Sequence, residues 1–200
     1  GWAAEDRKQS YYAFIHDESE RLSRLIGNVL QLARMNRNEV NVDVQPVAVS
    51  DLIAAVSAPV SSQIERAGFT MRLDCDALAG RAVIAVDTDA FTQILINLVD
   101  NAVKFSAAAD SRVIDVGCRR QHDGSVMFSV RDYGPGVPRD QMKKIFRLFY
   151  RSASELTRET VGTGIGLALV RQLAEAMGGR VDMVNREPGA EFRVVFPATG

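Results

Sequence analysis

Between residues 70 and 196, short β-branched runs of two-residue period alternate irregularly with helical stripes. Two of those runs, 113–118 and 126–131, flank His122-Asp123-Gly124, a hairpin signal. A hairpin makes at least one strand pair antiparallel, and strict βαβ alternation is missing. The pattern therefore favours an α+β domain, a mixed sheet with helices on one face, over a doubly wound parallel sheet. Further strands are expected at 70–73, 82–86, 180–184 and 191–196. Helices are expected from Ser50, as N-cap, to a stop at Gly68, and at 87–105, 139–146 and 167–177.

With 200 residues, 46% of them hydrophobic, the chain can bury one substantial core plus an appended element. That element lies at the N-terminus. Ile15, Leu22 and Val29 form one heptad series and Leu25 and Leu32 the other, a narrow seam that fits either a partner helix or the chain's own domain. The chain thus divides into a helix over 1–38, a linker over 39–49 and a globular domain over 50–200. A formal net charge of −1 removes the electrostatic footprint of a nucleic-acid binder. Cys75 and Cys118 lie far apart without metal-site spacing, so neither a disulfide framework nor a zinc site is indicated, and a reducing compartment is inferred. No apolar stretch approaches the roughly 20 residues that span a bilayer. The start at Gly1-Trp2, with neither Met nor signal peptide, reads as that of an excised piece.

Three segments carry chemistry. In the helix at 87–105, Phe91, Ile94, Leu95, Leu98, Ala102 and Phe105 make a buried stripe, and Asn97, Asn101 and Lys104 recur on an adjoining face. Two carboxamides and an ammonium suit a magnesium nucleotide, although they also suit a solvated face. Asp132-Tyr133-Gly134-Pro135-Gly136 follows a strand. A carboxylate there could accept from an adenine amino group while the glycines admit a flat ligand, or the run could simply be a turn. Gly162-Thr163-Gly164-Ile165-Gly166-Leu167 opens a helix whose free N–H groups favour an anion. It matches neither the Walker loop nor the dinucleotide fingerprint.

In this order the three segments resemble the N box (residues 97–105), the G1 box (132–136) and the G2 box (162–167) of the GHKL ATPases. Residues 145–151, Ile-Phe-Arg-Leu-Phe-Tyr-Arg, look like the F box of histidine kinases, and residues 18–34 are similar to the second helix of the kinase dimerisation hairpin. The resemblance implies a two-layer α/β sandwich of the Bergerat (GHKL ATPase) fold preceded by one long N-terminal helix. It implies ATP and Mg²⁺ as cofactors, with Asp132 on adenine, Asn101 on the metal, and Asn97, Lys104 and Arg151 facing the phosphates. Tyr150, Gly134, Gly136, Gly162, Thr163, Gly164, Gly166 and Leu167 would line the nucleotide, with 152–161 as a mobile lid. Tyr150 could instead pack against the adjoining helix.

His16-Asp17-Glu18 lacks the Arg and Pro of the family's phosphoacceptor box, and His122 reads as a solvated turn residue. The acceptor histidine is thus expected upstream. The function implied is the catalytic part of a sensor histidine kinase, passing the γ-phosphoryl group of ATP to that histidine and then to a response regulator receiver domain. Its intact form would dimerise through the N-terminal helix, and the piece would be the cytoplasmic part of an inner-membrane-anchored sensor with no nucleic-acid partner. A nucleotide-binding regulatory module without turnover, or another GHKL ATPase, is the alternative.

Overall fold

The computed structural model describes residues 42–150 and 164–199, and residues 8, 11, 12, 14, 15, 18, 19, 22, 23, 26 and 27 of the N-terminal segment. The chain forms two compact units, Gly1–Val40 and Asn41–Gly200. In the first, every described residue is helical, and Tyr11, Phe14, Ile15, Leu22 and Ile26 are exposed. His16, Leu25, Val29 and Leu32 lie outside the described residues.

The second unit runs β1 (Gln45–Ala48), α1 (Val49–Arg66), β2 (Thr70–Cys75), α2 (Ala77–Gly80), β3 (Val83–Val86), α3 (Thr88–Phe105), β4 (Val113–Arg120), β5 (Val126–Arg131), α4 (Gly166–Ala176), β6 (Arg180–Asn185) and β7 (Ala190–Phe196). Five strands form one sheet in the order β2-β4-β5-β7-β6, and β1 and β3 form a separate two-stranded sheet. The β2–β4 pair is parallel, while the β4–β5, β5–β7 and β6–β7 pairs are antiparallel, so the main sheet is mixed as expected.

Strand alternation sorts the residues onto two faces. Ile114, Val116, Cys118, Val126, Phe128, Val130, Phe192, Val194 and Phe196 are buried. Their counterparts from α1, α3 and α4 are Leu52, Val56 and Ile64; Phe91, Ile94, Leu95 and Leu98; and Leu169 and Leu173. Phe91 of α3 meets Phe128 edge-on at 4.7 Å between centroids and Phe196 at 6.0 Å, so an aromatic triad locks helix to sheet. The other face carries cross-strand ion pairs: Arg72 with Asp115 (2.7 Å), Arg119 with Asp74, and Arg193 with Asp182 (2.5 Å).

The segment read as a linker, 39–49, contributes β1, which pairs with β3. β1 is a four-residue strand of a two-stranded sheet, so it lies at an edge, where Pro46 is tolerated. Ser50 is not the cap of α1. The helix begins at Val49 without a side-chain cap, because the Val49 N–H donates to the Ala82 carbonyl at 2.9 Å and thereby finds its partner. Gly68 does follow its end, at φ 75°. Residues 139–146, read as a helix, are successive turns. The N–H groups of Gln141, Lys144 and Arg147 donate to carbonyls three residues back, at 2.9, 2.7 and 2.9 Å. Phe146 is the one buried side chain of that stretch, too little apolar surface to sustain a regular helix. Phe105, expected in the buried stripe, is only half-buried at the end of α3.

Candidate functional site

α3 starts on a strong cap. Asp87 Oδ1 accepts the N–H groups of Asp89 (2.9 Å) and Ala90 (3.0 Å), and its Oδ2 accepts the Asp43 N–H (2.9 Å). The helix so fixed presents Asn97 and Asn101 one turn apart. Asn97 is buried, and each carboxamide donates Nδ2 to the carbonyl four residues back: Asn97 to Gln93 at 2.8 Å, Asn101 to Asn97 at 3.0 Å. Each amide group thereby commits one of its two N–H donors, and the side-chain oxygens remain as acceptors. Lys104, a turn further on, holds Nζ 4.9 Å from the Phe105 ring centroid.

Both glycine-bearing segments meet this helix. A Cβ on Gly166, the first residue of α4, would lie 3.1 Å from Asn97 Oδ1 and 3.8 Å from Asn101 Nδ2. At the other end, a Cβ on Gly134 would lie 2.7 Å from the Phe105 carbonyl oxygen and 3.1 Å from Asp132 Oδ1. A side chain at Gly134 would push the strand-end loop off α3. α4 starts without a side-chain cap, and the N–H groups at such a helix start favour an anion.

Asp132 lies just past β5 and is 3% exposed. Its Oδ1 accepts the N–H groups of Gly134 (2.8 Å) and Ala190 (3.3 Å), which leaves Oδ2 as the atom for a ligand donor. Burial pushes the Asp132 carboxyl above its ordinary range, and the N–H groups of Gly134 and Ala190 and the Arg131 guanidinium pull it partly back. A buried carboxylate with one oxygen uncommitted is suited to a ligand that brings an N–H donor.

The hairpin between β6 and β7 supports this carboxylate, a role the sequence reading missed. Gly189 approaches so closely that a Cβ there would collide with the Asp132 carbonyl. Asn185 clamps the following loop twice, accepting the Val137 N–H at 2.9 Å and donating to the Val137 carbonyl at 2.7 Å, with Gly136 against the same carboxamide. On the far side, Tyr133 donates its hydroxyl to Asp115 at 2.7 Å and also bonds Arg72. Pro188-Gly189 announces a turn in the sequence, but nothing local says that the turn abuts Asp132.

In the region likened to the F box, Phe146 packs edge-on against Phe192 at 6.3 Å between centroids, and Phe149 is exposed. The Phe149 N–H donates to the Gly164 carbonyl at 2.9 Å, and a Cβ on Gly164 would lie 2.8 Å from the Tyr150 carbonyl oxygen. The backbone of Tyr150 thus abuts the glycine loop, and Leu167 is half-buried in the first turn of α4. Arg151, Gly162, Thr163 and residues 152–161 lie outside the described residues.

Residues 86–200 match the model of a family described as histidine kinase-, DNA gyrase B- and HSP90-like ATPases. The chain belongs to this ATPase family. Among relatives, the ATPase domain and its N-terminal segment are similar to the circadian input-output histidine kinase CikA of Synechococcus elongatus, 30% identical over 96% of this chain and 25% of that protein. The aerobic respiration control sensor protein ArcB of Escherichia coli is also 30% identical, over 96% of this chain and 24% of that protein. The chain therefore spans only about a quarter of the length of these relatives. Among solved structures, full-length ShkA in complex with AMPPNP shares 30% identity at a TM-score of 0.74, covering 96% of this chain and 39% of that one. The catalytic domain of histidine kinase ThkA shares 25% identity at a TM-score of 0.63, covering 79% of this chain and 99% of that one. The ATPase domain has the mixed-sheet α/β sandwich of histidine kinase catalytic domains. Among the described residues no helix is long and apolar enough to cross a membrane.

Proposed function

We propose that the chain binds Mg-ATP and serves as the catalytic part of a sensor histidine kinase, whose intact form transfers the γ-phosphoryl group to a histidine upstream of Gly1 and thence to a response regulator aspartate. The observation that carries this reading is the convergence on α3: the segment holding Asp132 abuts its C-terminal end, and the glycine-opened start of α4 abuts Asn97 and Asn101. Membership of the ATPase family supports it, as does the likeness to ShkA, which was solved with AMPPNP.

In this reading Asp132 Oδ2 accepts a hydrogen bond from the exocyclic amine of adenine, and Oδ1 keeps its two backbone donors. Asn101 turns its carboxamide oxygen to Mg²⁺, a hard oxygen donor of the kind that ion takes alongside phosphate and water. The ion supplies charge neutralisation on the phosphates. Asn97, Lys104 and Arg151 face the phosphates, the glycine loop ending at Leu167 presents backbone N–H groups, and Tyr150 lines the same side. Catalysis rests on positioning and charge rather than on a covalent intermediate with this chain. The chain as given binds nucleotide without labelling itself, because neither His16 nor His122 stands in a phosphoacceptor box.

Titration calorimetry tests the adenine assignment. A hydrogen bond to a charged acceptor is worth about 1.5–3 kcal/mol, so Asp132→Asn should weaken Mg-ATP roughly 10- to 100-fold and erode the preference over Mg-GTP, whose base has a carbonyl in place of the 6-amino group. Equal ATP affinity in parent and variant would reject the assignment.

A further inference from the structure

Cys75 and Cys118 are the only cysteines of the chain, and they are register partners on the parallel strands β2 and β4. Register partners on neighbouring strands project to the same face, and the strands lie about 4.7–4.9 Å apart. That spacing falls within the roughly 4.4–6.8 Å between Cα atoms that a disulfide bridges. The rung is held in place, since the Asp76 N–H donates to the Cys118 carbonyl at 2.8 Å while Asp76 Oδ1 accepts the Leu78 N–H at 3.0 Å.

The two thiols differ in access. Cys75 is exposed on the edge strand, whereas Cys118 is fully buried. Burial and then a hydrogen bond with the Cys75 side chain push the Cys118 thiol up, so it stays protonated and screened from solutes. An oxidant in solution meets Cys75 first, and the group next to Cys75 is Cys118.

We propose that Cys75 and Cys118 are a redox-active dithiol that a peroxide converts into an intramolecular disulfide between β2 and β4. Hydrogen peroxide transfers one oxygen to the Cys75 sulfur, giving a sulfenic acid and water. The Cys118 sulfur then attacks that sulfur, the S–O bond breaks, and the hydroxyl leaves as water with the Cys118 proton. Two thiols lose two electrons, and one peroxide becomes two waters. The link fastens the edge strand whose Arg72 reaches Tyr133, the neighbour of Asp132.

The test uses the full chain, reduced, freed of reductant and treated with hydrogen peroxide. Maleimide counting under denaturing conditions should show both thiols lost together, and the intact mass should fall by two hydrogens. A non-reduced digest should contain a peptide joining Cys75 to Cys118, and a dithiol reductant should restore both thiols. In Cys75→Ser, Cys118 should resist peroxide doses that consume both thiols of the parent. Sulfinic acid at Cys75 with an intact Cys118 thiol in the parent would overturn the proposal, as would a disulfide joining two chains through Cys75. These readouts on the parent need neither a folded variant nor bound nucleotide.

Discussion

Asp132 carries the sharpest conflict between stability and function at the scale of one residue. Its carboxyl holds a proton more tightly in the folded chain than in the unfolded one. Its stabilising contribution is thus fully present below the unfolded carboxylate value, about 3.9, and is lost as pH rises through the higher folded value. A carboxamide in its place acquires no charge over that range. The unliganded Asp132→Asn variant should therefore gain stability over the parent as pH rises from about 4 to 7, the opposite of its effect on nucleotide affinity. Urea unfolding across that range checks this, and a difference between the two proteins that does not change with pH would contradict it. Gly134→Ala tests the neighbouring contact. Its methyl meets the Phe105 carbonyl, so it should cost about 1–3 kcal/mol of stability and weaken nucleotide binding together. Asp132, Asn97, Asn101 and the glycines could be picked out in the sequence because each stands in a short run with its own logic. Asn185 and Gly189 could not, because their importance comes from an approach across the sheet that no local pattern encodes.

Among elements, α3 is held by its Asp87 cap and by Phe91 in the aromatic triad. Phe91→Ala leaves a hole where α3 meets β5 and β7 and should cost about 3–5 kcal/mol, read as a lowered denaturation midpoint at unchanged slope. The helix could be read in advance because its apolar stripe and its cap agree. The stretch 139–146 misled because its few apolar residues imitate a helical period. Its expected stripe buries Phe146 alone, and turns of mostly three-residue reach, with one four-residue bond from the Ile145 N–H to the Gln141 carbonyl, satisfy the backbone instead. The start of α1 misled for a related reason: Ser50 is a good cap by type, but the Ala82 carbonyl had already taken the Val49 N–H. The adjacency of Cys75 and Cys118 was hidden because β2 and β4 pair in parallel, with a helix, a strand and a further helix between them.

For the whole molecule, the balance of charge is met by pairing across the outer face of the sheet, while exposed apolar side chains remain on the described helical residues of the N-terminal segment. Exposed apolar clusters promote association. The chain should accordingly self-associate as its concentration rises, and Leu22→Lys should reduce this. Light scattering that finds only monomer for the parent at high concentration would refute the expectation. The mixed sheet and its one-sided helix layer were legible from a single hairpin and the broken alternation of elements. The separate β1–β3 pair was not, because β1 has only four residues and shares its segment with the approach to α1.

One shared contact limits how such a domain can diverge. Because α3 touches Gly134 at one end and Gly166 toward its middle, it acts as a ruler between the carboxylate and the paired carboxamides. A one-residue insertion within it would rotate the two ends about 100° out of phase at 3.6 residues per turn. Sequence change can therefore vary loops that do not touch α3 or Asp132, but the spacing from Asn97 to Phe105 has to be inherited whole.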